Sequence, residues 1–219
     1  MYRGTIISLC DLTGIMVQPW VESGYRAVLV DPQHNEQSNQ GGVELLPFTI
    51  LEAMPRISEI IKTENVVFVF GFPPCTDVAV SGARWFEDKR KKDPHFQAKA
   101  ALVAEQCRMI GLCAGAPWGF ENPVSVFSSI FGSSDYSFHP HEFTGHCHDD
   151  NYTKKTCIWS GNGFVMPESC RNESLGNPDN RIHACPPSEE RANIRSATPR
   201  GFAKAVFLAN APHLKANIK

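Results

Sequence analysis

The 219-residue sequence has no apolar run long enough to cross a bilayer as a helix. It also has little net charge of either sign, because 21 Lys and Arg against 23 Asp and Glu leave −2. A global basic field for holding nucleic acid is therefore missing, and any nucleic-acid surface must be local. Eight cysteines are present, but no Cys-x2-Cys or His-x3-His pair occurs, so the usual local zinc knuckle is absent. Internal repeats and low-complexity tracts are also missing. The opening Thr5–Leu9 run is too short for a secretory leader and reads as a first strand. These features lead to the expectation of a cytoplasmic protein with reduced thiols and no membrane partner.

Hydrophobic residues at 42% and charged residues at 20% fit an ordinary globular chain, with length enough for one α/β core. Thr5–Leu9, a helix around Val17–Ser23 stopped by Gly24, and Ala27–Val30 form a strand–helix–strand unit. A second helix is expected from about Thr49 to Lys62, then a continuously apolar strand over Val66–Phe70. Residues 76–94 read as a long loop. Apolar residues at Phe96, Ala100, Val103, Cys107, Ile110 and Ala114 recur in steps of three and four, which marks a helix with one buried face. Trp118–Pro123 reads as a short strand. The expected fold is α/β, a mostly parallel sheet with helices on both faces. Three segments are expected: a core over 1–132, a loop-rich segment over 133–193 whose clear strand is Thr156–Trp159, and a returning helix in 194–219. Thr198 is expected to cap that helix, with Pro199 at its first position.

In such sheets ligands bind where the strands end, and four constellations fall there. Asp11-Leu12-Thr13-Gly14 follows the first strand, and Asp31 ends the second, seventeen residues after Gly14. A strand-to-helix turn offers backbone N–H groups to a cofactor, and an acid at the next strand end accepts ribose hydroxyls; a generic turn is the alternative. Pro73-Pro74-Cys75 ends the strongest strand, where a thiolate is a nucleophile and a buried structural thiol is the alternative. Glu121-Asn122-Pro123 ends the next strand, and its carboxylate suits general-acid work. Asn122 with Pro123 also fits a plain helix start, which leaves Glu121 unexplained.

The order of Asp-Leu-Thr-Gly, a strand-end acid, Pro-Pro-Cys, Glu-Asn-Pro and a closing Thr-Pro-x-Gly-Phe-Ala segment resembles the DNA cytosine-5 methyltransferases. It is most similar to their short phage and prophage forms with a reduced target recognition domain. The resemblance implies a Rossmann-like S-adenosylmethionine-dependent methyltransferase in a bacterial or phage-infected cell, acting on a flipped-out cytosine in DNA. It implies Cys75 as nucleophile, with Pro74, Glu121 and Asn122 completing the catalytic set. Asp11, Leu12, Thr13, Gly14, Asp31, Pro73 and Thr198 would hold the cofactor. Residues 76–94 would correspond to the mobile catalytic loop, with Arg84, Lys89, Arg90, Lys91 and Lys92 on phosphates. Lys154 and Lys155 sit where the family has a basic motif near the target base. Thr76 follows Cys75 where the family usually has Gln. A protein partner that supplies recognition is a further implication of the short form. The same chemistry on single-stranded DNA or a free pyrimidine nucleotide, and a non-catalytic nucleic-acid- or cofactor-binding relative, are the alternatives.

His139, His141, His146, Cys147, His148, Cys157, Cys170, His183 and Cys185 crowd the second half. Without paired spacing they read as polar loop histidines and a few buried thiols, and no metal is expected.

Overall fold

The computed structural model describes residues 1–188 and 191–215. Its strands are β1 (Thr5–Leu9), β2 (Arg26–Val30), β3 (Ser38–Gln40), β4 (Val43–Leu46), β5 (Val66–Gly71), β6 (Trp118–Pro123), β7 (Tyr136–Phe138) and β8 (Thr156–Gly161). Its helices are α1 (Gln18–Glu22), α2 (Ile50–Thr63), α3 (Phe86–Lys92), α4 (Phe96–Ala114), α5 (Phe127–Ile130), α6 (Arg181–Ala184), α7 (Arg191–Ser196), α8 (Arg200–Asn210) and α9 (Pro212–Lys215). Among the described residues no helix is long and apolar enough to cross a membrane.

All eight strands join one sheet in the order β3-β4-β2-β1-β5-β6-β8-β7. The central run from β4 to β6 is parallel, and the pairings of β3 with β4, β6 with β8, and β7 with β8 are antiparallel. Alternation along the strands divides the core between the two faces. Ile7, Leu9, Val28, Val30, Val69 and Phe120 pack with α2 and α4 on one face. Ile6, Ala27, Leu29, Phe68 and Phe70 pack with Trp20 of α1 and with Phe202, Val206 and Phe207 of α8 on the other. Helices on both faces make the sheet's two long edges of strand ends its only open sides, and ligands collect at the C-terminal one. From β1 the chain moves outward to β2 and β4, then returns over α2 to β5 on the other side of β1. The order therefore reverses between β1 and β5, the switch point at whose C-terminal crevice such sheets bind ligands.

The opposite end of the sheet is sealed by charge. Buried Arg26 bonds both Glu44 and Glu64, and Arg56 holds Glu44 from α2 through Nε at 2.9 Å. α2 begins one residue after the expected start at Thr49, which caps it instead. Thr49 Oγ1 accepts from Glu52 N, and the Glu52 carboxylate accepts from Thr49 N at 2.9 Å.

α4 approaches β6 closely enough that Gly111 has no room for a side chain. A Cβ there would overlap Trp118, whose indole is also pressed against Gly161 from β8. Gly111→Ala should therefore destabilise the protein by about 1–3 kcal/mol despite its better helix propensity. A thermal melt checks this, with a midpoint drop on the order of 5 °C expected.

Several expectations are corrected. Residues 76–94 are not a long loop: a 3-10 turn over Val80–Trp85 runs into α3. Lys91 reaches back to Glu87 and Asp88 at i−4 and i−3, the pairing that supports a short helix. α8 starts at Arg200, one residue later than expected, because Pro199 keeps an extended ψ of 130° and takes the cap position itself. Thr198 lies outside the helix and does not cap it through its side chain. In the 133–193 segment β7 joins β8 as a second strand, and both extend the core sheet.

Candidate active site

Cys75 follows β5, Glu121 lies in its parallel neighbour β6, and three contacts bind the two strand ends together. Asn122 Nδ2 donates to Pro73 O at 2.9 Å. Val80 N donates to Val124 O, and Val126 N to Val78 O, both at 3.0 Å. Cys75 O accepts from Val78 N and Ala79 N, so the cysteine opens a tight turn. Pro73 is buried, Pro74 exposed and Cys75 half-buried. Prolines donate no N–H, so the turn is fixed through carbonyls and through buried Asn122, which sits in the strand instead of capping a helix.

Glu121 lines a small cavity with Phe72, Phe138, Lys154, Thr156, Thr198 and Phe202. Its Oε2 is sealed from solvent and has no hydrogen-bond partner. Burial pushes the Glu121 carboxyl up, and nearby Lys154 opposes that in part. Burial also pushes the Cys75 thiol up, and the Glu121 carboxylate adds to the shift, while Lys154 and Arg195 pull it back. The two acids thus disfavour a second negative charge, and the two cations favour a first one. Burial holds both groups toward their neutral forms, and Lys154 and Arg195 offset part of the shift at Cys75. Lys154 is 9% exposed and points into this cavity, so it is not a surface phosphate contact; Lys155 is exposed.

At the crevice, Asp11 is buried and engaged by its own turn. It accepts from Ser8 Oγ at 2.7 Å, Gly14 N at 2.8 Å and Thr13 N at 3.1 Å. Burial pushes its carboxyl up, against those bonds. Cys10, just before it, takes a left-handed φ of 55°, a conformation that costs a non-glycine residue on the order of 1 kcal/mol. That bend turns Asp11 back under the turn, and Gly14 with φ of 67° completes it. Asp31, also buried, accepts from Gln33 N at 2.8 Å and so shapes the loop after β2. Leu12, that loop (Gln33, His34, Asn35, Glu36), Ser38 and Leu45 of β4 enclose a cleft of about 330 Å³. Its volume lies in the range that takes a nucleoside-sized ligand. His34 Nε2 is buried there without a partner.

No family model matches the chain, and no curated protein matches it. The structure brings Glu121, Lys154 and Thr198 together in one cavity lining, sets Cys75 where the charges of Glu121 and Lys154 reach it, and places Leu12 with the Asp31 loop. It leaves Arg84, Arg90 and Lys92 exposed at a distance from the cavity lining, on the segment after Cys75. Lys89 is taken inward: its Nζ donates to Thr76 O at 2.8 Å and Asp77 Oδ1 at 2.7 Å. Sequence reasoning missed Arg195, Phe72, Phe138 and Phe202. Phe202 stands in the closing Thr-Pro-x-Gly-Phe-Ala segment, and the other three left no signal. Among the described residues no three His, Cys, Asp or Glu side chains converge to hold a metal.

Proposed function

We propose that the protein is an S-adenosylmethionine-dependent methyltransferase of Rossmann-like fold that modifies C5 of cytosine in DNA. The observation that carries this reading is the Cys75–Glu121 pair, a nucleophile and a buried acid clasped together at adjacent strand ends with Lys154 between them in charge. Cytosine C5 is a poor nucleophile until the ring's aromaticity is interrupted. Cys75 Sγ adds to C6, the electron pair of the C5–C6 bond is released toward C5, and Glu121 donates its proton to N3. S-adenosylmethionine, when bound, supplies the methyl group that C5 takes up. Loss of the C5 proton to water then re-forms the C5–C6 double bond as N3 returns its proton to Glu121 and the Cys75 thiolate is expelled, its charge offset by Lys154 and Arg195. The sealed, unpartnered Oε2 of Glu121 fits this role, because a ring nitrogen or amino group gives it the partner it lacks.

The β1–α1 turn and the cleft beside Asp31 fit the cofactor's nucleoside. Leu12 and Leu45 offer apolar walls to a base. The Asp31 carboxylate keeps acceptor capacity for ribose hydroxyls beyond its bond to Gln33 N. Asp11 fixes the turn that carries Leu12, taking the Thr13 and Gly14 N–H groups itself. Asp31→Ala should weaken S-adenosylmethionine binding about 10–100-fold by calorimetry. Unchanged affinity would remove Asp31 from the cofactor site.

The deciding experiment is nucleoside mass spectrometry on DNA from a host without cytosine methylation of its own. New 5-methylcytosine is expected with the wild-type chain. Its absence, together with methylation of dCMP or dCTP by purified protein, would move the substrate to free nucleotides.

A further inference from the structure

We propose that Trp85 stacks on an unpaired nucleobase of the DNA strand, next to the target nucleotide, so that the substrate is a polynucleotide and not a free nucleotide. The inference rests on the cytosine-modifying reading of Cys75. Trp85 is 53% exposed, whereas Trp20, Trp118 and Trp159 are at most 6% exposed. Leaving an indole in water forfeits the burial that ordinarily stabilises it, so an exposed tryptophan beside a reactive centre suggests a ligand that covers it. Its place is set by the clasp on the catalytic turn. Trp85 precedes Lys89 by four residues at the start of α3, so the two share a helix face about 5–6 Å apart at Cβ. Lys89 is bonded to the carbonyl of Thr76, the residue after Cys75. Lys89 therefore ties the segment that carries the indole to the chain beside the nucleophile.

The surroundings select a nucleic acid. Residues 84–92 carry five basic and two acidic side chains in a chain whose net charge is −2. Lys89 and Lys91 are held by Asp77, Glu87 and Asp88, while Arg84, Arg90 and Lys92 stay exposed outside those ion pairs. The Arg84 guanidinium lies 5.0 Å from the Trp85 ring centroid, where it backs the ring and adds positive charge. Phe86, the next residue, turns inward onto Phe96 at 5.8 Å, so the segment shows no broad apolar face for a protein or a membrane. A lone aromatic plane among cations is the recognition element of single-stranded nucleic-acid binders.

Trp85 reports on itself, because the other tryptophans are buried. Iodide quenching of intrinsic fluorescence is read with and without a 12-nucleotide single-stranded DNA, whose binding is followed separately by anisotropy of a labelled copy. Bound DNA should protect Trp85 from iodide and change its emission. A strand of the same length with abasic sites in place of bases should bind and fail to protect it. Trp85→Ala should weaken binding of the normal strand about tenfold, and Trp85→Phe should restore most of it. If DNA binds but Trp85 stays open to iodide and Trp85→Ala binds normally, the inference is wrong while the catalytic reading stands. No binding of any DNA overturns both. Protection by vesicles of anionic phospholipid but not by DNA, or by raising protein concentration alone, would give the indole to a membrane or a second copy and overturn the inference.

Discussion

Cys75→Ala should lower methyl transfer to cytosine by about 10⁴-fold or more while leaving S-adenosylmethionine affinity within about twofold of wild type. The size follows from the route: without a thiolate at C6 the C5 atom is not activated, and nothing else on the cavity wall can add to the ring. Phe72, Phe138 and Phe202 are inert, Lys154 is a cation, and Thr156 and Thr198 are hydroxyls with no adjacent base shown to deprotonate them. The retained affinity follows from separation, since Cys75 does not line the cleft between the β1–α1 turn and the Asp31 loop. The substitution is also mild for the fold. Cys75 is half-buried, its carbonyl makes the turn bonds to Val78 and Ala79, and alanine keeps that carbonyl. Transfer is counted as 5-methylcytosine formed on an unmethylated oligonucleotide, and affinity is measured by calorimetry on the same preparation. A variant that still methylates at the wild-type rate would end the covalent route. A variant that loses both rate and cofactor affinity would point to a damaged turn.

Much of the frame was legible because its signals are local. The 3.6-residue recurrence from Phe96 predicted a helix to Ala114, which α4 matches, and the Val66–Phe70 run with its prolines predicted β5. Thr49 with Glu52 spelled out the start of α2. The β3–β4 hairpin carried a signal that was not read: Gly41-Gly42 with φ of 60° and 86° is a tight primed turn. α3 was harder, because Lys89–Lys92 reads as a solvated charge run until Lys89 is seen to reach back to Thr76. The positions of Cys75 and Glu121 at strand ends followed from strand boundaries alone. Their juxtaposition did not, since it depends on β5 pairing with β6, 49 positions apart at Val69 and Trp118, and on the Asn122–Pro73 bond. Arg195 was invisible for the same reason: its effect on Cys75 passes through space across more than a hundred residues of chain.

Glu121→Gln should slow transfer by about 10²–10⁴-fold, the range expected for losing a positioned general acid. The pH profile separates this role from a structural one. In the wild type, activity should rise with pH as the Cys75 thiol, held up by burial and by the Glu121 carboxylate, loses its proton. It should fall again as Glu121, held up by burial, loses the proton it has to give. The glutamine removes the falling limb, because an amide does not titrate. A purely structural glutamate would change the rate and leave both limbs in place. Stability supplies a second sign. A carboxyl whose pKa is raised on folding binds its proton more tightly in the folded chain. Its contribution is therefore fully present below the unfolded carboxylate range, near pH 4, and is lost as pH rises through the raised folded value. Glu121→Gln escapes that loss, so its melting temperature should match wild type at pH 4 and exceed it at pH 8. A site that gives up stability to keep an acid sealed and unpartnered gains it back when the acid is removed. Melting curves that coincide at both pH values would mean that Glu121 is not held in its neutral form, and the general-acid assignment would fall with it.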